Sequence, residues 1–166
     1  MGDFFQQNWG NLASVLGLSI SVCVLLVAQK AREAAEQARS LARLKSLVEE
    51  LESAANSVQL IGVLLKDRKW DVVHFLADEA LSVCQASLTR WGDQLMESKS
   101  GLYNACTELR SISDSCVASV ARTLSDEDWL GTIRAQREAR VLISSALGHV
   151  RKAEERSTRS NARKQG

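Results

Sequence analysis

The chain has 166 residues, of which 45% are hydrophobic and 25% are charged, and it contains no proline. This length suits one modest domain, and a net charge of only +1 argues against a dedicated nucleic-acid-binding protein. The lack of proline and an aromatic content of 5% disfavour an all-β domain and favour long helices.

The most informative segment lies near the beginning of the chain. No side chain from residue 4 to residue 29 is charged, and residues 12–28 read LASVLGLSISVCVLLVA. As a helix, residues 12–28 would rise about 26 Å, and adding residues 9–11 gives about 20 residues, enough to span a bilayer. Trp9 stands where an interfacial aromatic anchor belongs. The sequence therefore predicts a transmembrane helix over residues 9–29.

Two other interpretations of this segment are weaker. A cleaved signal peptide needs a basic start and a small-residue cleavage site, but residues 1–8 contain neither lysine nor arginine. A buried core helix is usually shorter and has a polar face, whereas serines are the only polar residues within 12–28. Serine can return its hydroxyl hydrogen bond to the backbone of a membrane helix.

Basic residues flank only one side of the predicted span. Lys30 and Arg32 follow it directly, and no basic residue precedes it. The positive-inside rule then places residues 1–8 outside and the rest of the chain in the cytoplasm, with the span in the inner (plasma) membrane. The odd number of cysteines after the span suits reduced, buried thiols.

A stripe of small residues recurs within the span at intervals of four: Ala13, Gly17 and Ser21. Small residues at this spacing lie on one helix face and let two helix backbones approach closely, which can drive association into a homo-oligomer. The alternative interpretation is that Gly, Ala and Ser are simply common in membrane helices.

After Lys30 the chain is rich in strong helix formers, and no breaker separates it from the span. Apolar residues then recur with alternating steps of three and four over about three heptads. They are Leu41, Leu44, Val48, Leu51, Ala55 and Val58. The pattern predicts either a coiled-coil contact with another chain or the inward face of a helix in its own bundle. Further hydrophobic residues from residue 60 onward slightly favour the bundle.

A polar break at residues 66–69 separates this helix from a second one. Asp67 is a candidate cap for the second helix, whose apolar stripe begins at Trp70 and continues to Leu95. Glycine and serine then concentrate at residues 97–101, which predicts a turn.

Two more helices are predicted after that turn. The third has an apolar stripe over residues 102–124, and Ser125 caps the fourth, with Asp128 at the capping-box position. Residues 157–166 form a basic end that we expect to be disordered. The predicted fold class is all-α: an N-terminal transmembrane helix that continues into a cytoplasmic antiparallel bundle of about four helices, residues 30–156.

No motif in the sequence points to catalysis, a cofactor or a metal. The chain lacks a glycine-rich phosphate loop, H-E-x-x-H, G-x-S-x-G and C-x-x-C. His74 lies among hydrophobic neighbours, which is typical of a partly buried helix residue. We therefore expect a non-enzymatic protein without a cofactor.

The N-terminal pattern resembles uncharacterised bacterial single-pass membrane-anchored helical proteins. The resemblance rests on WGNLAS at residues 9–14, then Gly17, then Ser19 or Ser21, followed by a basic alanine-rich helix. It covers about the first 40 residues, with a loose match at the leucine-rich helix and Trp70. The resemblance implies an anchor and a helical bundle, and it carries no activity.

These features predict a membrane-anchored interaction or scaffold protein that self-associates or holds an unknown protein partner at the bilayer. One alternative is a small oligomeric membrane-perturbing effector of a bacterial stress or defence system, which is weaker because no intramembrane charge would line a pore. Another is a ligand-sensing helical bundle, because an apolar pocket between helices leaves no motif. Nucleic acid is not an expected partner.

Overall fold

The computed structural model describes residues 2–121 and 125–165, and the side chains of residues 17–96, 98–119, 125–160 and 162. Over these residues it contains four α-helices, one 3-10 turn at Met96–Ser98 and no strand. The helices are α1 (Gly2–Leu64), α2 (Trp70–Leu95), α3 (Lys99–Ala121) and α4 (Asp126–Gln165). The all-α prediction is confirmed.

The chain divides into two compact units, Met1–Ser40 and Leu41–Gly166. The first unit consists of the N-terminal part of α1. The second unit contains the remainder of α1 together with α2, α3 and α4, and it is the helical bundle.

Neighbouring helices of the bundle follow one another in chain order. Helix α2 packs against α3, and α3 packs against α4. Side-chain hydrogen bonds join α1 to α2 through Glu50 and Ser87, and α1 to α4 through Val58 and Gln136. Short connections make successive helices antiparallel, so the bundle closes with α4 beside α1.

The heptad residues of α1 form the inward face of a bundle helix. Leu51 and Val58 are fully buried and Val48 is 8% exposed, while Leu44 and Ala55 pack against them from the edge of the core. Leu41 is half-buried. Of the two interpretations of this heptad, the intramolecular one describes the structure. The largest fully buried side chains of the core are Leu47, Leu51, Ile61, Leu65, Leu102, Leu109, Ile112 and Ile143.

The predicted transmembrane helix is not supported by the described residues. Within them, no helix combines the length and the apolar character that crossing a membrane requires. Residues 9–16, including Trp9 and Ala13, lie outside the described side chains, although their backbone belongs to α1.

The break between α1 and α2 occurs where it was predicted, but its cap is different. Arg68 has a left-handed backbone, with φ 54°, and the N–H of Lys69 donates to the carbonyl of Leu64 at 3.2 Å. Lys69 is the N-cap of α2 and makes no side-chain cap hydrogen bond. The prediction of Asp67 as the cap was wrong, because a left-handed residue directly after Asp67 cannot be the first residue of a right-handed helix.

The turn between α2 and α3 lies slightly before the predicted glycine. It is the 3-10 turn Met96–Ser98, and Met96 has a positive φ of 33°. Gly101 instead lies inside α3, where an added Cβ would stand 3.8 Å from Cδ2 of Leu142. That distance is ordinary van der Waals contact, so Gly101 neither forms the turn nor is required for the packing of α3 against α4.

The predicted cap of α4 is confirmed. The backbone N–H of Asp128 donates to the Ser125 hydroxyl oxygen at 3.2 Å, and the Ser125 hydroxyl donates to Oδ2 of Asp128 at 2.7 Å. Helix α4 then continues to Gln165, through the segment for which the sequence predicted a disordered end. An ion pair at 3.7 Å between Arg159 and Glu155 accompanies this last part of the helix.

Candidate functional site

Within the first unit, residues 18–27 of α1 expose large hydrophobic side chains on most sides of the helix. Seven large hydrophobic side chains between residues 18 and 27 are 49–71% exposed. They are Leu18, Ile20, Val22, Val24, Leu25, Leu26 and Val27. At 3.6 residues per turn, the four consecutive residues 24–27 surround most of the helix axis. A helix that is hydrophobic all round is normally covered by a protein core or by lipid. We call residues 18–27 the apolar segment.

Ser21 is a polar residue within the apolar segment, and its hydroxyl forms a hydrogen bond with the backbone of the same helix. The Ser21 hydroxyl donates to the carbonyl oxygen of Gly17 at 2.8 Å. No described group comes within 4 Å of an ideal Cβ at Gly17. Of the predicted small-residue stripe, the structure therefore places Gly17 and Ser21 one turn apart, and Ala13 lies outside the described side chains.

Charged residues begin directly after this segment. Lys30 is exposed, and Arg32 pairs with Glu36 at 3.1 Å, with both side chains largely in solvent. The helix surface thus changes from largely apolar to charged within a few residues.

Glu50 joins α1 to α2 through side-chain hydrogen bonds that no sequence pattern indicated. Its carboxylate accepts hydrogen bonds from Ser87 Oγ at 2.9 Å, from Arg90 Nη1 at 2.7 Å and from Trp91 Nε1 at 3.2 Å. Trp91 is partly buried and packs against the core. The three donors are 37–41 residues from Glu50, so no local signal could have indicated this cluster.

A second polar cluster joins α2 to α3. The Ser113 hydroxyl donates to Oδ1 of Asp78 at 2.7 Å, and Nδ1 of His74 lies 2.8 Å from the same hydroxyl oxygen. Because the hydroxyl has a single proton, the His74 ring must donate at this contact. The serine proton thus points at a carboxylate and not at the imidazole, and the three side chains act as a clamp between helices.

The three cysteines of the bundle are buried thiols, as expected, and Cys23 is exposed. A hydrogen bond to Cys106, together with burial, raises the pKa of Cys84 far above its ordinary range. Burial raises the pKa of Cys116 to about 11, with a smaller contribution from Asp78. The Cys84 and Cys116 thiols therefore stay protonated at neutral pH, whereas the hydrogen bond from Cys84 lowers the pKa of Cys106.

The raised pKa of Cys116 predicts a loss of stability at high pH. The pKa of the Cys116 thiol is 9.0 in the unfolded chain and about 11 in the folded chain. The stability that the protonated thiol contributes is therefore complete below pH 9 and is lost as the pH rises through 11. We expect the free energy of unfolding to fall by about 2–3 kcal/mol over that interval. Denaturant unfolding of the wild type and of Cys116→Ala at each pH measures it. The difference between the two proteins should shrink by this amount, and a constant difference would contradict the assignment.

Among the described residues, no group of three or more His, Cys, Asp or Glu side chains is arranged to hold a metal ion. In comparisons with known proteins, no family model, no curated protein and no solved structure matches this chain.

Proposed function

We propose that this chain is a membrane-anchored helical interaction protein whose apolar segment inserts into a bilayer. The observation that carries this proposal is the exposure of Leu18–Val27 on most sides of α1. At about 25 cal/mol per Å² of apolar surface, leaving seven large hydrophobic side chains in water costs several kcal/mol. Lipid removes that cost without requiring a complementary protein surface.

The length of the uncharged region also supports this proposal. The region begins at residue 4 and ends at residue 29, which exceeds the roughly 20 residues that a bilayer requires. The basic residues after it, beginning with Lys30 and Arg32, favour a topology in which the bundle faces the cytoplasm.

The interaction role of the bundle requires a surface other than the heptad, which is occupied inside the bundle. The outer face of α2 exposes Val72 by 46% and Phe75 by 68%. These residues are three apart and therefore lie on one helix face. We propose that a partner protein contacts this face, while Gly17 and Ser21 provide a close-approach face for a second copy within the bilayer.

The exposed thiol of Cys23 allows a direct test of insertion. The full chain is placed in lipid nanodiscs, where both membrane faces are accessible, and is treated with a charged maleimide. Hydrocarbon excludes charged reagents and disfavours the thiolate, so we expect Cys23 to react at least about tenfold more slowly than an exposed thiol outside the bilayer. The other cysteines are buried and contribute little.

The matched control moves the thiol along the same helix. In the variant Cys23→Ser/Ala34→Cys, the new thiol lies at an exposed position after Lys30 and Arg32. We expect this thiol to be labelled rapidly. Equal rates at the two positions, or a chain that elutes apart from the nanodiscs, would refute insertion.

A further inference from the structure

The groove between α1 and α4 contains a cavity of about 350 Å³ with an unusual charge pattern. Three cationic side chains line it: Lys66 in the turn after α1, and Arg137 and Arg140 on α4. None of the described residues that line this cavity is acidic. All three cationic residues are exposed, so they stand at the rim of the cavity.

Two other cations of the bundle are paired with carboxylates on a neighbouring helix. Arg90 and Arg151 each bind a carboxylate across a helix pair, Glu50 and Glu52 respectively. Within the part of the chain that the structure describes, Lys66, Arg137 and Arg140 form no ion pair. Arg137 also borders the neighbouring groove that contains Glu108 and Glu138, so Lys66 and Arg140 are the two cations that belong to this cavity alone.

One residue that lines the cavity, Gln136, is buried and held in place by a hydrogen bond. Gln136 is 7% exposed, and its Nε2 donates to the carbonyl of Val58 at 2.9 Å. This position is accessible to Gln136 because residue 62 is glycine, where an added Cβ would stand 2.8 Å from that nitrogen. The side-chain amide of Gln136 therefore lies against Gly62 of α1 and forms part of the cavity lining.

We propose that this cavity binds a phosphate-bearing ligand. Converging cations without a carboxylate match a multiply charged anion better than a single carboxylate, and arginine binds phosphate oxygens through paired hydrogen bonds. Ile133 and Leu65 also line the cavity and provide an apolar wall beside the phosphate. The ligand could be a free organic phosphate or the headgroup of an anionic lipid.

Pyrophosphate is the first probe, added to the full chain in neutral detergent and phosphate-free buffer. Isothermal titration compares the wild type with Lys66→Gln/Arg140→Gln. The matched control is Arg134→Gln/Lys152→Gln, which removes one arginine and one lysine at exposed positions that do not line the cavity. We expect the cavity variant to raise the dissociation constant at least about tenfold, since each charged contact to phosphate contributes appreciably. We expect the control to bind like the wild type.

Nanodiscs that contain phosphatidylglycerol distinguish the two sources of phosphate. If pyrophosphate does not bind, but anionic lipid stabilises the wild type and the control against heat and does not stabilise the cavity variant, the ligand is a lipid headgroup. If the three proteins respond equally to both probes, the effect is general ionic screening and the proposal is overturned. Because the detergent experiment does not require insertion into lipid, its result is independent of the anchoring proposal.

Discussion

Replacing Ile20 and Val24 together by arginine should release the chain from membranes. Each arginine near the middle of a membrane helix costs about 2.5–3.5 kcal/mol, so two cost about 5–7 kcal/mol, or roughly four to five powers of ten in partitioning. Both residues are largely exposed, at 62% and 61%, so the substitutions remove no internal packing. The fraction of the chain that sediments with membranes after an alkaline carbonate wash measures the effect.

The control for this experiment places two arginines on the bundle. Leu130 and Val141 are also exposed, by 60% and 66%, and Leu130→Arg/Val141→Arg adds the same charge. This variant should sediment like the wild type. If the two double variants behave alike, the apolar segment is not what holds the chain at the membrane.

Replacing Leu51 by alanine should cause a large loss of stability in the bundle. Leu51 is fully buried, and truncation of a buried leucine typically lowers the free energy of unfolding by about 3–5 kcal/mol, because transfer energy is lost and a cavity remains. The control is Leu60→Ala on the same helix. Since Leu60 is 47% exposed, the cost there should stay below about 1 kcal/mol.

The same variants test how the heptad is used. Leu51 contributes to the core of its own chain, so the midpoint of unfolding should not depend on protein concentration, and neither should the destabilisation caused by Leu51→Ala. A coiled-coil contact between chains would instead make the midpoint rise with concentration. Denaturant unfolding at concentrations a hundredfold apart separates the two cases, and a concentration-dependent midpoint would restore the intermolecular interpretation.

Several features of this protein follow from the sequence alone because they depend on residues close together in the chain. Helix-forming composition and the three-to-four spacing predict the helices and the inward residues such as Leu51. The Ser125 cap acts over three positions and is equally visible. The apolar segment is also local, because its character is the sum of consecutive side chains.

Other features were decided only by the tertiary structure. The heptad pattern is compatible with a partner chain or with the bundle, and packing selects the bundle because α2 and α4 cover that face. Because Arg68 has a left-handed backbone, α2 begins at Trp70 and its N-cap is Lys69, not Asp67. Gly101 lies inside α3 and does not form the predicted turn.

Polar contacts between helices are the features that sequence patterns predict least, because the partners are far apart in the chain. Glu50 meets its donors 37–41 positions away, and Val58 meets Gln136 78 positions away. The cations of the α1–α4 cavity are likewise distant in sequence, as Lys66 and Arg140 illustrate. Hydrogen-bond partners and empty grooves arise from the way the helices dock, which depends on the shapes of many side chains at once. The sequence by itself determined the helices and their apolar faces, and only their packing decided which polar groups meet.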